Sequence, residues 1–170
     1  MLGTLALSIF PLCMSLAAIS DLLTMTIPNR VSLALAIAFF VLAPTYGLPF
    51  TEIGIHLAVA GVVFAACFAL FALNVMGGGD AKLLAAAALW FGFDLSVVIF
   101  LVYVAFIGGV VTVFIVWLRS QASIISAIGL PMPSSLTVAK KIPYGIAIAI
   151  GGILAFPSSP LLIAMTKSAL

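Results

Sequence analysis

The sequence predicts an all-α membrane protein with six transmembrane helices. Of its 170 residues, 66% are hydrophobic and 6% are charged, and the mean hydropathy is +1.47. A soluble domain of this length exposes too much surface to water to hide so many apolar side chains. Apolar runs of about 20 residues recur, which is the length that a helix needs to cross a bilayer. We therefore interpret residues 1–170 as a single polytopic membrane domain.

Six apolar segments are predicted to be helices, and turn residues separate them. They cover residues 2–20, 31–48, 53–74, 81–93, 95–118 and 142–156. The fourth segment is short, because its 13 residues rise only about 20 Å in a hydrocarbon core of roughly 30 Å. Either Asp94 lies near a membrane face, or this helix begins near the preceding glycines and Asp80 lies below the interface.

The positions of the charged residues predict the orientation in the membrane. With the N-terminus outside, the inner loops contain five of the six basic residues, namely Arg30, Lys82, Arg119, Lys140 and Lys141. Lys167 lies on the outer side together with Glu52 and Asp94. This is the bias that the positive-inside rule describes. Asp21 and Asp80 then lie at the same, cytoplasmic side.

The longest loop, residues 119–141, contains the apolar stretch IISAIGL, which suits the membrane interface. We interpret the loop as a surface connector, with a flap over a substrate as the alternative. The tail after residue 156 is too short to span the membrane alone. No Lys or Arg precedes Arg30, so the first segment is expected to be a retained helix rather than a cleaved signal peptide.

Asp21 and Asp80 are the candidate catalytic residues. The chain has four acidic residues, and two of them are predicted at one membrane face. Ionisable groups at membrane depth are costly and point to function. Two close carboxylates do not ionise together easily, so they share a proton. The ionised member can then activate water, while the protonated member donates a proton to the carbonyl oxygen of a peptide.

Residues beside Asp80 have predicted roles in substrate binding. Gly77, Gly78 and Gly79 form a turn whose missing side chains let a substrate backbone approach the carboxylate. Lys82 is either an interfacial anchor or a group that binds an acidic residue of the substrate. The pattern GxxxxGK[ST] does not occur, so this is not a phosphate-binding loop. Separately, no nucleic-acid partner is expected.

Other residues are expected to support the site. Pro28 and Asn29 form the turn that fixes Asp21, with Asn29 capping the next helix. Pro143 is expected in the first turn of the last helix. Tyr144 either bonds polar groups of the site or belongs to the interfacial aromatic belt. One His and two separated Cys cannot assemble a metal site, so no metal or cofactor is predicted, and water is the expected nucleophile.

Three stretches resemble the type IV prepilin peptidases, which are aspartic proteases of the bacterial inner membrane. SDLLTMTIPNR is similar to the first aspartate motif of this family and maps its first catalytic residue onto Asp21. GGGDAKLLAAAALWFG is similar to the GxGD-x-K motif and maps the second catalytic residue onto Asp80. KIPYGIAIAIGG resembles the start of the last conserved helix.

The resemblance implies an endopeptidase that removes a prepilin leader after a glycine at the cytoplasmic face. The pilin helix remains in the bilayer. Members that also methylate the pilin carry an N-terminal extension and paired Cys motifs. In this sequence the first mapped catalytic residue is already at position 21, and Cys13 and Cys67 form no such pair. We therefore expect the short, peptidase-only form of tight-adherence (Flp-type) pili. Substrates of the family carry a Glu soon after the cut, which could pair with Lys82, Lys140, Lys141 or Arg30. The sequence indicates neither the particular prepilin nor the oligomeric state.

Two other functions remain open at this point. A small proton-coupled transporter or channel also uses paired aspartates, and it predicts a polar path to the outer face through His56, Glu52 or Asp94. We interpret His56 as a helix-end residue with a local hydrogen bond. A structural membrane subunit would use Asp21 and Asp80 only to tie helices together, and it would tolerate asparagine at both positions.

Overall fold

The computed structural model describes residues 2–121 and 142–167, with side chains from residue 7 onward. This part of the chain is helical and contains no strand, which confirms the all-α prediction. Its helices are α1 (Leu2–Thr24), α2 (Asn29–Thr45), α3 (Phe50–Ala72), α4 (Gly78–Ala88), α5 (Leu95–Ser120), α6 (Gly145–Ala155) and α7 (Pro160–Lys167), with a 3-10 turn at Phe156–Ser158. Each predicted segment is helical, although the ends shift by up to about a turn and a half. The flap predicted in 119–141 lies, after residue 121, outside the described residues.

Three helices in the described part are long and apolar enough to cross a membrane. These spans are Leu7–Thr24, Phe50–Ala72 and Leu95–Ser120. The helices Gly145–Ser158 and Pro160–Lys167 meet at a bend of 48° and would form a fourth span if they are one broken helix. Length and composition thus give three or four spans. The six predicted spans and their orientation stay a prediction.

The outer surfaces of the long helices are apolar. On α3, Val62 is 71% exposed, and on α5, Phe106 and Val113 are 71% and 70% exposed. Apolar surface that is this extensive marks contact with a membrane or a partner rather than with water. The chain is therefore a helical membrane protein.

The short helix α4 contacts three other helices. It packs against α2, α3 and α6, while α1 and α5 both pack on α6. Its buried residues are mostly alanines: Ala81, Leu83, Leu84, Ala86, Ala87 and Ala88. Such small side chains let neighbouring backbones approach closely, as is typical of helix packing in membranes.

Polar side chains from other elements bind the carbonyl groups at the C-terminal end of α4. His56 donates from Nδ1 to the Leu89 carbonyl at 2.6 Å, and Ser159 Oγ donates to the Trp90 carbonyl at 2.5 Å. Trp90 in turn donates from Nε1 to the Leu35 carbonyl at 3.2 Å. The bonds from His56 and Ser159 satisfy carbonyl groups that a helix end leaves without intrahelical partners. The local hydrogen bond predicted for His56 is wrong, because the ring reaches another helix.

Aromatic side chains fill the bundle around this end of α4. Trp90 and Phe91 are completely buried. The rings of Phe10 and Phe156 stack with centroids 4.5 Å apart, and those of Phe91 and Phe100 stack at 4.7 Å. Large aromatic side chains therefore fill the core at the end where α1 begins and α4 and α6 finish.

The close packing of α5 on α6 requires a small residue at position 151. A Cβ there would lie 2.8 Å from the backbone nitrogen of Val104. We expect Gly151→Ala to destabilise the protein by about 1–3 kcal/mol through overpacking, seen as a lower melting temperature in detergent. The matched control is Gly109→Ala on α5, where a Cβ meets nothing within 4 Å. Equal melting temperatures for the two variants would contradict this packing.

Candidate active site

The chain after Asp21 folds back on the last turn of α1. Met25 has a φ of 55°, in the left-handed region, and thereby ends the helix. Ser20 Oγ donates to the Thr26 carbonyl at 2.8 Å, and Thr24 Oγ1 donates to the Ser20 carbonyl at 2.8 Å. The hydroxyls of Thr24 and Thr26 are also 2.7 Å apart. Side chains of the helix itself therefore fix the turn that follows the first aspartate.

This turn places Ile27 between the first residues of α4 and α6. A Cβ at Gly79 would lie 3.2 Å from Ile27 Cβ, and one at Gly145 would lie 2.9 Å from Ile27 Cδ1. A side chain at position 145 would therefore clash, whereas one at position 79 would require Ile27 to shift by a few tenths of an ångström. Ile27 thus brings the N-terminal ends of two helices to the C-terminal end of α1.

Asp21 is buried beside the N-terminal end of α6, with 5% of its surface exposed. Its Oδ2 accepts a hydrogen bond from the Gly145 backbone N–H at 2.7 Å. Gly145 is the first residue of α6, so the carboxyl group satisfies an N–H that has no partner within the helix. A Cβ at Gly145 would lie 2.8 Å from the same oxygen. The glycine therefore permits both the approach and the hydrogen bond.

Asp80 is half-buried in the first turn of α4. A Cβ at Gly77, the residue that caps this helix, would lie 2.7 Å from Asp80 Oδ2. The carboxyl group thus lies over the start of its own helix, where the positive end of the helix dipole stabilises an anion. Of the two alternatives for this segment, the structure has the helix that begins at the glycines, and the depth of Asp80 in the membrane stays a prediction.

Asp21 and Asp80 line the same cavity, which has a volume of about 810 Å³. Its wall consists of the turn after α1, the glycine turn before α4, and residues of α3, α5 and the segment before α6. The other lining residues are Met25, Thr26, Ile27, Asn29, Leu70, Asn74, Val75, Met76, Gly77, Gly78, Gly79, Thr112, Ile142 and Tyr144. This volume lies in the range of ligand pockets.

Tyr144 forms part of the cavity wall, which favours the first of its two predicted roles. Its hydroxyl lies against Gly108 of α5, where only a residue without a side chain fits. Burial of the ring, and then the negative charge of Asp80, raise the pKa of the Tyr144 phenol. The hydroxyl therefore stays protonated at neutral pH and can donate a hydrogen bond into the cavity.

The structure brings together some of the predicted site residues and separates others. Gly77, Gly78 and Gly79 line the cavity with the two aspartates. Lys82 does not line it: its Nζ donates to Asn29 Oδ1 at 3.1 Å, on an exposed face of α4. Asn29 is therefore a neighbour of both the cavity and the lysine.

Two predicted helix starts differ from the observed ones. Pro28 occupies the cap position of α2 without a side-chain hydrogen bond, so the prediction that Asn29 caps this helix is wrong. The Asn29 side chain instead accepts the hydrogen bond from Lys82. Pro143 is buried just before Tyr144, the cap of α6, rather than in the first turn of that helix. Both prolines still precede helices, where their missing N–H costs no hydrogen bond.

Sequence reasoning missed two residues that build the site. Gly145 donates the hydrogen bond to Asp21, and Ile27 packs against the starts of two helices. Gly145 belongs to the stretch KIPYG that carried part of the resemblance, but its contact joins residues 124 positions apart. In the described residues, no group of three His, Cys, Asp or Glu side chains is placed to hold a metal ion.

The fold and the cavity define a helical membrane protein with two aspartates at one end of its bundle. A family model described as the type IV leader peptidase family matches residues 8–115. The chain therefore belongs to this peptidase family. The match includes Asp21 and Asp80 and ends before α6, so the structure adds Tyr144 and Gly145 to the site. Comparison with curated proteins and with solved structures found no significant match.

The hydrogen bond to Gly145 gives Asp21 a structural role that can be measured without a substrate. We expect Asp21→Ala to lower the free energy of unfolding by about 1–3 kcal/mol, because the buried Gly145 N–H loses its acceptor. Asp21→Asn keeps an acceptor oxygen and should melt closer to the wild type. Thermal unfolding in detergent compares the two variants. If they unfold at the same temperature, the Asp21–Gly145 bond does not stabilise the bundle.

Proposed function

We propose that the protein is an aspartic endopeptidase that removes the leader peptide from type IV prepilins of the Flp type. The observation that carries this proposal is that Asp21 and Asp80 line one cavity in a member of a peptidase family. The proposed location is the bacterial inner membrane, with the cavity at the cytoplasmic face. The proposed partners are the prepilin substrate and the lipid bilayer.

The proposed chemistry follows from two carboxyl groups that share a proton. The ionised group takes a proton from water as the water attacks the peptide carbonyl. The protonated group donates to the carbonyl oxygen as this becomes tetrahedral, and the proton then passes to the leaving amine. Asp21 Oδ2 accepts from Gly145, so a proton on this residue would be on Oδ1. The glycine turn at 77–79 leaves room for the peptide backbone beside Asp80.

The proposed topology has six membrane segments with the N-terminus outside. The end of α1 and the starts of α4 and α6 meet at the cavity. If successive segments cross the membrane in opposite directions, these three ends lie at the same face. Arg30 and Lys82 lie beside this end, whereas Glu52 and Asp94 lie at the start of α3 and of α5. This arrangement supports a cytoplasmic position for the cavity under the positive-inside rule.

The described core offers little support for a proton path across the bundle. Phe10 lies 11 residues before Asp21 on α1, about 16 Å along the helix, and packs there with Trp90 and Phe156. His56 is buried, with its ring stacked on Phe39 and its Nδ1 bonded to a carbonyl. An aromatic core of this kind favours the peptidase over a proton-coupled transporter.

A cleavage assay with purified protein and candidate prepilins from the same genome tests the function. Mass spectrometry of the products identifies the cut. We expect Asp21→Asn and Asp80→Asn each to reduce cleavage by about 10²–10⁴-fold, because each removes a group that transfers a proton.

The other two acidic residues provide matched controls. For Glu52→Gln, the changed residue is exposed on α3. Asp94→Asn keeps a side-chain oxygen that can cap α5. Both variants should cleave at the wild-type rate. Cleavage that survives Asp21→Asn or Asp80→Asn would contradict the proposed mechanism, and cleavage of none of the prepilins would contradict the proposed substrate.

A further inference from the structure

A second concave surface lies next to the catalytic cavity, on the outer surface formed by α2, α3 and α4. It is a groove of about 560 Å³, lined by Asn29, Ser32, Leu33, Ala36, Leu57, Ala60, Gly61, Phe64, Lys82, Ala85, Ala86 and Leu89. It exists because α2 and α3 both pack on α4 and make only slight contact with each other. We call it the α2–α4 groove.

The α2–α4 groove is apolar along its length and carries one positive charge at one end. On α4 the lining runs from Lys82 to Leu89, which is about 10 Å or two helical turns. Lys82 Nζ donates a hydrogen bond to Asn29 Oδ1 and is exposed, so it is accessible to an anionic partner. An occupant that matches this surface is apolar and has one negative charge at the Lys82 end.

The charged end of the groove is also the end that meets the catalytic cavity. Asn29 lines both of them. Asp80 and Lys82 are two residues apart in the first turns of α4, with Asp80 in the cavity and Lys82 in the groove. A chain that lies in the groove and continues past Asn29 therefore reaches the cavity.

We propose that the α2–α4 groove binds the transmembrane helix of the substrate, with Lys82 paired to an acidic residue near the N-terminal end of that helix. This inference rests on the proposed function, since it assumes that the substrate is itself a membrane-anchored chain. It selects Lys82 over Arg30, which lines neither the groove nor the cavity. Lys140 and Lys141 lie outside the described residues.

The floor of the groove suits a helix better than a lipid chain. Ala36, Ala60, Ala85 and Gly61 present almost no side chain, and a Cβ at Gly61 would meet nothing within 4 Å. Small residues of this kind let the backbone of a second helix approach closely and gain van der Waals contact. The headgroup of an anionic lipid would match Lys82 as well, so lipid is the alternative that the experiment must separate.

The first test fills the groove without disturbing the fold. Gly61→Phe places a ring in open space on the groove floor, and Gly109→Phe does the same on the outer face of α5. We expect Gly61→Phe to reduce prepilin cleavage at least tenfold, chiefly by raising KM, while Gly109→Phe cleaves like the wild type. Equal cleavage by the two variants would show that the substrate helix does not occupy the groove.

The second test measures binding and does not depend on cleavage. A photo-cross-linking amino acid replaces Gly61, or Gly109 as the control, in the Asp80→Asn protein. The probe is a synthetic apolar helix of about 20 residues, the length of one span, with one Glu near its N-terminal end. We expect cross-linking to the probe from position 61 and little from position 109. A cross-link from position 61 to lipid alone would overturn the proposal.

Charge reversal tests the role of Lys82. A probe with Lys in place of the Glu should cross-link several-fold less, and Lys82→Glu should reverse that preference. If the preference persists in the Lys82→Glu protein, Lys82 is not the recognition residue. Because these measurements use an inactive variant, they remain informative if no prepilin is cleaved. Conversely, if Gly61→Phe does not change cleavage, the groove has no part in substrate binding, whereas the proposed peptidase function still holds.

Discussion

The hydrogen bond between the Gly145 N–H and Asp21 Oδ2 joins the end of α1 to the start of α6. Position 145 has no side chain, and a Cβ there would meet both Asp21 Oδ2 at 2.8 Å and Ile27 Cδ1 at 2.9 Å. Ile27 also lies beside Gly79 at the start of α4. One apolar side chain and one carboxyl group therefore pack the end of α1 against the starts of α4 and α6. The cavity lined by Asp21 and Asp80 lies where these ends meet, and its geometry depends on this cluster.

The short length of α4 is the second condition for the site. A helix of 11 residues rises about 16 Å, so it starts at the cavity and ends inside the bundle rather than at the far side. Its C-terminal carbonyls would be unsatisfied there without the side chains of His56 and Ser159. Trp90 and the aromatic cluster then fill the space beyond the helix. The polar cavity thus lies at one end of α4, and the aromatic cluster lies at its other end.

The sequence predicts the helices and the position of Asp21 and Asp80 at one end of the bundle, because long apolar runs and rare charges are strong local signals. The catalytic role of the two residues stays a prediction. The sequence does not predict the contacts of Gly145, Ile27 or His56, each of which depends on how distant helices pack. The prediction that Asn29 caps α2 was wrong for the same reason, because the side-chain oxygen of Asn29 accepts a hydrogen bond from Lys82, 53 residues away. Helix length and composition indicate three or four spans, because α4 has only 11 residues, so the six predicted spans stay a prediction.

A comparison of cleavage rates in single and double variants tests most directly whether Asp21 and Asp80 act as one unit. Single-turnover cleavage is measured for Asp21→Asn, for Asp80→Asn and for the protein with both changes. Groups that act together lose their full effect when either is removed, so the double variant should be no slower than the slower single variant. Rate losses that multiply in the double variant would show that the two carboxyl groups act independently.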